Sequence, residues 1–464
     1  MSAEYDLVVI GTGPAGEKAA AQAAYFGKRV VAIERAPEPG GAGTHTGTVP
    51  SKTLREASMY LSGFRSRDMY GIAVELEPTA TLPRLMSRKA AIEASETQRI
   101  SHNLERHGVA ILNGLGGFLD ANTVLVANGT SARRVTGEVV LIATGSRPAH
   151  PEGIDFDDDH IHDSDEVLDI ERIPRSLTIL GAGVIGCEYA CMFAALGVKV
   201  ALVDARDSLL TFLDRDMVEQ LVGSMRRMGI DLHLGLRWTS VRRAGDDVVV
   251  TFDNGVELGG EQLLYAAGRE GRTQDLNLAA VGIEPDKRGY LKVNSHFQTS
   301  VPNILAAGDV IGFPALAATS MEQGRVAVCH AFAFGYKQSV ADLLPYGIYT
   351  IPEVSALGET EASAREKGIP YVIGTARYAE NARGKIAGDT EGVLKLIVDR
   401  RDRRLIGVHV IGERATELVH IGQAVVHLGG TIDAFIEMVF NFPSLAEAYK
   451  YAAYDCLGRL AKEA

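Results

Sequence analysis

A duplicated pattern constrains the fold of this chain more than any other feature of its sequence. Two segments, YDLVVIGTGPAGEKAAAQAAYFGKRVVAIE and SLTILGAGVIGCEYACMFAALGVKVALVD, each contain an apolar strand, a G-x-G-x-x-G turn, a helix and a second strand ending in an acid. The acid follows the last glycine of the motif by 18 positions in both, from Gly16 to Glu34 and from Gly186 to Asp204. A single G-x-G-x-x-G is weak evidence, but two in this context predict two Rossmann-type dinucleotide-binding units.

The glycines of each turn have separate tasks. The first permits a tight turn, the second lets the backbone approach a pyrophosphate, and the third lets the helix pack closely on the strand. The helix that follows offers free N–H groups and the positive end of its dipole to the anion. Glu34 is expected to accept hydrogen bonds from an adenosine ribose, each worth on the order of 1.5–3 kcal/mol. The predicted contacts in the turns are Gly11, Gly13 and Gly16, and then Gly181, Gly183 and Gly186.

Length and charge narrow the class of protein. A chain of 464 residues is too long for one hydrophobic core and predicts two or three domains. With 47 basic and 59 acidic residues, the formal charge of −12 argues against nucleic acid or an anionic membrane as partner. Apolar runs fall far short of the roughly 20 residues that span a bilayer. The first predicted strand begins within a few residues of Met1, so we expect no leader peptide and a cytoplasmic location.

Four cysteines occur, without any C-x-x-C and without zinc-ligand spacing: Cys187, Cys191, Cys329 and Cys456. This usage indicates a reducing compartment, and no metal site is predicted. Cys187 and Cys191 lie four apart on a predicted helix, where a redox pair is conceivable. Buried packing as small apolar groups is the favoured interpretation.

The pattern changes from about Tyr346. GVLKLIVDRRDRRLIGVHVIG predicts two strands joined by a charged turn, and ERATELVHIGQAVVHLGG predicts a following helix. This order favours an α+β domain with an antiparallel sheet. Four arginines in the charged turn could bind an anion, but the favoured interpretation is that they are solvated residues of a hairpin turn: Arg400, Arg401, Arg403 and Arg404. A polar linker is favoured over a metal site for the acidic loop at 155–160.

Beyond the two glycine motifs, the chain contains ATGSRP at 143–148, YAAGR at 265–269 and ILAAGDV at 304–310. With these motifs it resembles, over nearly its whole length, the two-dinucleotide-fold flavoproteins that include dihydrolipoamide dehydrogenase and glutathione reductase. The resemblance implies an α/β fold in which an NAD(P)-binding domain interrupts an FAD-binding domain, followed by a dimerisation domain that forms a homodimer or a larger homo-oligomer. The expected boundaries are 1–150 and 275–345 for FAD, 151–274 for NAD(P) and 346–464 for dimerisation.

The resemblance also implies the site residues. Lys52 is expected near the flavin N5, paired with Glu188, where it stabilises negative charge on the reduced flavin; an ordinary structural ion pair is the alternative. Asp309 is expected on the ribityl chain. The FAD-binding residues implied are Gly11, Gly13, Gly16, Glu34, Arg35, Thr48, Lys52, Thr144, Gly145, Gly308 and Asp309. The NAD(P)-binding residues implied are Gly181, Gly183, Gly186, Glu188, Asp204, Arg206 and Gly268.

One stretch departs from the disulfide reductases of that family. They read GGTCLNVGCIPSK where this chain reads GGAGTHTGTVPSK at 40–52, so their cysteines fall on Gly43 and Thr48, which cannot form thiolates. Their catalytic His-Pro pair is replaced by Phe442-Pro443, although Glu447, which would orient that histidine, remains. Losing both halves of the thiol machinery predicts hydride exchange between nucleotide and flavin without a redox-active disulfide.

The segments THTGTVPSK, GDVIGFPALA and YGIYTIPEVSALGETE are similar to those of the soluble NAD(P)+ transhydrogenases, which keep T-H-x-G-T-I-P-S-K. Some of these retain a single cysteine where this chain has Gly43. The resemblance implies reversible hydride transfer between NADPH and NAD+ through FAD at one nicotinamide site. Two alternatives stay open: an NAD(P)H dehydrogenase that reduces a quinone or another small acceptor, and a flavin-bound regulatory protein with little turnover.

The order Asp204-Ala205-Arg206 bears on nucleotide preference. Asp204 should repel a 2′-phosphate, whereas Arg206 could neutralise one. At about 4 Å and an effective dielectric of about 20, each charge contributes on the order of 4 kcal/mol, so a near balance is expected. The alternative is that Arg206 is only a solvated loop residue. For His45, a local hydrogen bond is favoured over a contact with nucleotide.

Overall fold

The computed structural model describes residues 3–63, 69–71, 76–156 and 158–463. The first part of the chain forms an open sheet covered by helices. Its elements are β1 (Tyr5–Ile10), α1 (Pro14–Tyr25), β2 (Val30–Glu34), α2 (Gly41–His45), α3 (Thr48–Leu61), α4 (Pro78–Arg106), β3 (Ala110–Asn113), β4 (Leu115–Asp120), β5 (Thr123–Asn128), β6 (Ser131–Ile142) and β7 (Ser146–Pro148). Strands β3, β2, β1 and the second half of β6 are parallel neighbours in that order, and β4 and β5 extend the first half of β6 antiparallel.

The second part repeats the parallel design. Its elements are β8 (Ile161–Asp163), β9 (Ser176–Leu180), α5 (Val184–Ala195), β10 (Lys199–Asp204), α6 (Arg215–Arg227), β11 (Asp231–Leu234), β12 (Trp238–Ala244), β13 (Asp247–Phe252), β14 (Glu257–Gly260), β15 (Gln262–Tyr265) and β16 (Arg269–Gly271). The parallel sheet has the order β11-β10-β9-β15-β8, and β12, β13 and β14 form an antiparallel sheet beside it. Strand β16 pairs with β7 and so connects this part to the first.

Helix α5 follows the second glycine turn, and most of its residues are buried. Cys187 and Cys191 on it are fully buried and both are free thiols, which confirms that they pack as small apolar groups. Burial raises the pKa of Cys191 to about 12 and raises that of Cys187 well above its ordinary value. Neither thiol is therefore ionised near neutral pH.

The chain then returns to the first sheet. Strand β17 (Ile304–Ala306) pairs parallel with the end of β6, and helix α7 (Ala317–Ala331) lies against α1. The two helices touch so closely that a Cβ on Gly324 would lie 2.2 Å from the carbonyl oxygen of Ala15. A glycine is required at that crossing.

The last part is an α+β domain, as predicted. Its elements are β18 (Tyr346–Ile348), β19 (Val354–Gly358), α8 (Glu361–Glu366), β20 (Tyr371–Arg377), α9 (Ala382–Ala387), β21 (Val393–Asp399), β22 (Leu405–Ile411), α10 (Ala415–His427), α11 (Asp433–Glu437) and α12 (Glu447–Glu463). The antiparallel order is β18-β19-β22-β21-β20. The overall class, two nucleotide-binding units followed by this domain, is confirmed; the residue boundaries of the domains stay predictions.

Two charged loops have partners within the chain. In the turn between β21 and β22, Arg401 pairs with Asp399 and Arg404 with Asp402, which fits the predicted solvated turn. In the acidic loop, Asp158 accepts the main-chain N–H of His160 and lies 3.2 Å from Arg243. Asp157 of the same loop lies outside the described residues.

The described helices include none with the length and apolar composition that crossing a membrane requires.

Candidate active site

The two glycine turns have the same geometry. Gly11 and Gly181 have φ angles of +101° and +110°, in the left-handed region that disfavours other residues. A Cβ on Gly11 would lie 2.4 Å from the carbonyl oxygen of Ala143. The third glycines, Gly16 and Gly186, bring each helix so close that a Cβ would lie 1.9 and 1.8 Å from the carbonyl oxygen of the first glycine. Larger side chains would push both helices away from their strands.

The middle glycines leave room in front of the helices. Gly13 and Gly183 precede α1 and α5, and neither helix has a side-chain cap. A Cβ on Gly183 would meet nothing within 4 Å, and one on Gly13 would meet only the Cα of Gly41, at 3.8 Å. The open space and the uncapped N–H groups fit one pyrophosphate at each helix.

The acid at the end of each second strand is anchored by the turn beside it. Glu34 accepts the main-chain N–H groups of Thr12 and Ala36, both at 2.9 Å, and the hydroxyl of Thr12. Asp204 accepts the main-chain N–H groups of Ala182, at 2.6 Å, and Arg206, at 2.8 Å. The carboxylates are thus held at the same place in the two units.

The guanidinium group of Arg206 forms an ion pair with Asp204. Nε lies 2.9 Å from Oδ1 and Nη2 lies 2.7 Å from Oδ2, and half of the Arg206 side chain is exposed. Burial alone would raise the pKa of Asp204, but hydrogen bonds from Arg206 and Ala182 outweigh it and lower the pKa. Arg206 is therefore an ion-pair partner of Asp204, and its role toward a 2′-phosphate stays a prediction.

Lys52 and Glu188 come together from different parts of the chain. Lys52 on α3 points its Nζ at Oε2 of Glu188 on α5, at 2.5 Å, and Oε1 of Glu188 accepts the main-chain N–H of Tyr349 at 2.8 Å. The pair lies beside a small cleft at the junction of all three parts of the chain. The cleft is lined by Ser51, Lys52, Arg55, Glu188, Tyr189, Met192 and Tyr349.

Asp309 and Gly308 lie at the end of β17. The two carboxylate oxygens of Asp309 accept hydroxyl groups from Ser146, at 3.1 Å, and Ser320, at 3.3 Å. Gly308 has a φ of +81° and donates its N–H to Gln323. The position of Asp309 is therefore fixed by side chains from two other segments.

Thr144 and Gly145 lie beside Arg272. The Thr144 hydroxyl donates to the Arg272 carbonyl oxygen at 2.7 Å, and Gly145 accepts the Arg272 N–H at 3.0 Å. Gly268 has a φ of +155°, and its carbonyl oxygen accepts the main-chain N–H of Ala149 at the link between the nucleotide units. Arg35 follows Glu34 and is exposed.

Sequence reasoning missed Arg272. Burial is the largest cause that lowers the pKa of the Arg272 guanidinium, and the charge of Arg35 lowers it further. The buried Nε of Arg272 has no hydrogen-bond partner among the described residues. The nearest acid is Asp165, 3.8 Å away. An unfilled cationic donor beside Thr144 fits an anionic cofactor, and nothing in the sequence motifs singled this residue out.

The segment where relatives carry cysteines is compact. His45 bonds the carbonyl oxygen of Pro39 at 3.0 Å, which is the favoured local role. A Cβ on Gly43 would lie 2.9 Å from Cγ of Pro14, so even a cysteine there needs a shift. Thr48 begins α3 and is exposed. Phe442, in the last part of the chain, is 76% exposed.

The chain matches known proteins over nearly its whole length. Residues 5–324 match the family described as pyridine nucleotide-disulphide oxidoreductase, and residues 344–453 match its dimerisation domain. A protein of Mycobacterium tuberculosis (strain ATCC 25177 / H37Ra) named soluble pyridine nucleotide transhydrogenase is 46% identical over 461 residues, 98% of each chain. One of the same name from Colwellia psychrerythraea (strain 34H / ATCC BAA-681) is 40% identical over 463 residues, 99% of each chain.

Solved structures show the same architecture. The HOCl-induced flavoprotein disulfide reductase RclA from Escherichia coli superposes with a TM-score of 0.88 at 27% identity, covering 97% of this chain and 99% of that one. LpdA from Mycobacterium tuberculosis superposes with a TM-score of 0.89, also at 27% identity and with the same coverage. The fold of this chain is therefore shared with proteins that are only 27% identical to it.

Proposed function

The chain belongs to the pyridine nucleotide-disulphide oxidoreductase family, and from this premise we propose that it is an FAD-dependent enzyme that transfers hydride reversibly between NADPH and NAD+. One observation carries the proposal: both nucleotide turns are fully formed, whereas the segment 40–52 contains no cysteine. Relatives named soluble pyridine nucleotide transhydrogenase, at 40–46% identity, support it.

The two turns have different proposed ligands. The first turn, with Glu34 and Asp309, holds FAD, and the second, with Asp204, holds the nicotinamide nucleotides. FAD supplies the chemistry by accepting a hydride from one nicotinamide and passing it to another. Because the chain provides one such second turn, the donor and acceptor nucleotides use it in succession.

The ion pair between Lys52 and Glu188 supplies the electrostatics of this reaction. Hydride acceptance adds negative charge to the flavin, and a cation held in advance near that charge stabilises it without reorganisation. Glu188 fixes the Lys52 ammonium at 2.5 Å and is itself fixed by the Tyr349 N–H. Lys52 and Glu188 are thus the proposed catalytic residues, and Glu188 also borders the nicotinamide.

The pairing of Arg206 with Asp204 suits a site that must accept both nucleotides. With NAD(H), Asp204 can bond the ribose hydroxyls while Arg206 stays on the carboxylate. With NADP(H), Arg206 can turn to the 2′-phosphate, offsetting repulsion from Asp204 of similar size, about 4 kcal/mol at an effective dielectric of about 20. Because attraction to Arg206 and repulsion by Asp204 are of similar size, neither nucleotide is held so tightly that it cannot leave after the reaction.

The setting of the enzyme follows from the same premise. We place it in the cytoplasm as a homodimer or larger homo-oligomer, with nicotinamide nucleotides as partners and without nucleic acid or membrane. The proposed FAD-binding parts are 1–150 and 275–345, the NAD(P)-binding part is 151–274, and the dimerisation part is 346–464.

The deciding experiment mixes the flavin-loaded protein with NADPH and thio-NAD+ under anaerobic conditions and follows thio-NADH. We expect turnover without added thiol or quinone, a large loss of rate in Lys52→Met, and none in Lys292→Met, which changes an exposed lysine of the same charge. If NADPH bleaches the flavin but only a quinone restores its colour, the protein is a dehydrogenase and the proposal is wrong.

A further inference from the structure

One aromatic residue of the C-terminal domain touches both members of the proposed catalytic pair. The main-chain N–H of Tyr349 donates to Oε1 of Glu188 at 2.8 Å. The Nζ of Lys52 lies 5.1 Å from the centroid of the Tyr349 ring. The ammonium thus has the carboxylate on one side and an aromatic face on another.

Further contacts connect the Tyr349 ring to neighbouring segments of the chain. Thr416, at the start of α10, lies beside the ring: a Cβ on Gly347 would lie 3.5 Å from Cε2 of Tyr349 and 3.2 Å from Cγ2 of Thr416. Thr416 donates its hydroxyl to Glu353 at 2.8 Å, and Glu353 lies 3.5 Å from the guanidinium of Arg55. The contacts therefore lead from Tyr349 back to helix α3, which also carries Lys52.

Arg55 ties this segment to α3 directly. It is 4% exposed and donates two hydrogen bonds to the carbonyl oxygen of Thr350, from Nε at 3.1 Å and from Nη2 at 2.8 Å. Because Arg55 is one helical turn after Lys52, residues 349–353 are fixed relative to the lysine backbone. Tyr349 has little freedom to leave the ammonium.

These contacts restrict a side chain that is otherwise flexible. A lysine has four rotatable bonds and loses rotamer entropy when it is ordered. The attraction of a cation to an aromatic face offsets part of that loss. The ring and the carboxylate together leave the ammonium one favoured orientation.

We propose that Tyr349 is a positioning residue that holds Lys52 in the orientation in which its ammonium stabilises the charge FAD gains. The inference rests on the proposed function, because it requires Lys52 to act on the flavin. It gives the C-terminal domain a part in setting the reduction potential of the cofactor.

The test measures the midpoint potential of the bound FAD by equilibration with a reference dye. A nearby cation favours the reduced form, so Tyr349→Leu should shift the balance of oxidised to reduced flavin about fivefold to tenfold toward the oxidised form. Tenfold corresponds to about 30 mV for a two-electron couple. Tyr349→Phe keeps the ring and the main-chain N–H and should stay near wild type.

Two further variants separate positioning from other causes. Lys52→Met should lower the potential on its own, and adding Tyr349→Leu to it should change nothing more. Tyr371→Leu removes an aromatic contact with Arg365, 5.6 Å away in the same domain, and should leave the potential unchanged. Tyr349→Met serves as the second aliphatic variant if the leucine protein does not fold.

The possible failures are distinct. The role of Tyr349 is overturned if the folded Tyr349→Leu and Tyr349→Met proteins have the wild-type midpoint potential. It is also overturned if Tyr349→Leu lowers the potential equally in a protein that already carries Lys52→Met. An unchanged potential in Lys52→Met removes Lys52 from the flavin and overturns the inference with it. If Lys52→Met and Tyr349→Leu lower the potential but wild type fails with thio-NAD+, only the proposed transhydrogenase activity is wrong.

Discussion

At the scale of single residues, the two nucleotide units differ mainly in what faces the anchored acid. Glu34 and Asp204 are each held by two main-chain N–H groups, but only Asp204 has a guanidinium closed on it. Half of the Arg206 side chain is exposed, so a ligand phosphate can compete with Asp204 for its guanidinium. Under the proposed function, nucleotide choice at the second turn therefore depends on the Arg206 side chain.

Replacing Arg206 with alanine should weaken NADPH binding relative to NADH by about tenfold or more, because the 2′-phosphate then faces Asp204 without a cation. The measurement is the dissociation constant of each nucleotide, from the dependence of the anaerobic flavin reduction rate on nucleotide concentration. Arg215→Ala, at a 92% exposed arginine of the same part of the chain, is the control. An unchanged affinity ratio would rule out this role of Arg206.

At the scale of secondary-structure elements, strand β21 carries a fully buried lysine. The Nζ of Lys395 lies 2.7–3.0 Å from three carboxylates, Asp214 and Asp216 at the start of α6 and Glu361 at the start of α8. Burial would lower the pKa of Lys395, but its hydrogen bonds to Asp216 and Glu361 outweigh that and raise it. This cluster joins the second part of the chain to the C-terminal domain.

Lys395→Met should lower the free energy of unfolding by about 3–5 kcal/mol, because it leaves the buried Asp214 and the partly buried Glu361 without their cation. Urea denaturation followed by circular dichroism measures the change. Lys199→Met, at an exposed position in β10, should stay within about 0.5 kcal/mol of wild type. Equal midpoints for both variants would show that the cluster contributes no net stability.

His409 on β22 adds a pH dependence to the same junction. It is 1% exposed, its Nε2 is 3.0 Å from the carbonyl oxygen of Glu359 and 3.8 Å from Asp214, and burial lowers its pKa despite the attraction of Asp214. A lowered pKa means that the unfolded chain takes up the proton first. The stability that neutral His409 provides is thus present above about pH 6.5 and is lost as the pH falls.

His409→Gln should therefore unfold with a shallower dependence on pH than wild type between pH 7 and 5. One proton accounts for at most about 1.4 kcal/mol per pH unit of difference. Urea midpoints measured across this range give the two slopes. Parallel slopes would mean that the pKa of His409 does not differ between the folded and the unfolded protein.

The elements around the glycine turns were predictable from sequence because their signals are local. A strand, a turn with Gly11 or Gly181 and a helix occupy about thirty consecutive residues in the family pattern. The junction contacts are not local: Glu188 meets Tyr349 across 161 positions and Lys395 meets Asp216 across 179. No periodicity in the chain encodes such pairings, so only the structure reveals them.

At the scale of the whole molecule, large apolar side chains are exposed in the last part of the chain. Val439 is 95% exposed, Leu428 82% and Phe442 76%. This part matches a dimerisation domain. Exposed apolar groups of this size are typical of surfaces that another protein chain covers, and they favour the homodimer proposed above.

Val439→Asp should weaken self-association at least tenfold, because burying the valine contributes about 1.5–3 kcal/mol and burying an unpaired carboxylate is costly. Analytical ultracentrifugation over a range of concentrations measures the effect. Val256→Asp, at a 43% exposed valine just before β14, should leave association unchanged. A variant at Val439 that sediments like wild type would place the interface elsewhere.

The burial of every sulfhydryl group has a consequence for stress. Cys187, Cys191, Cys329 and Cys456 are each at most 2% exposed, and the segment 40–52, where disulfide reductases carry their cysteines, contains none. Peroxide, hypochlorous acid and alkylating agents act on accessible thiolates, which this surface does not offer. The protein is therefore expected to keep exchanging reducing equivalents between nucleotide pools while thiol-dependent reductases of the same fold are inactivated.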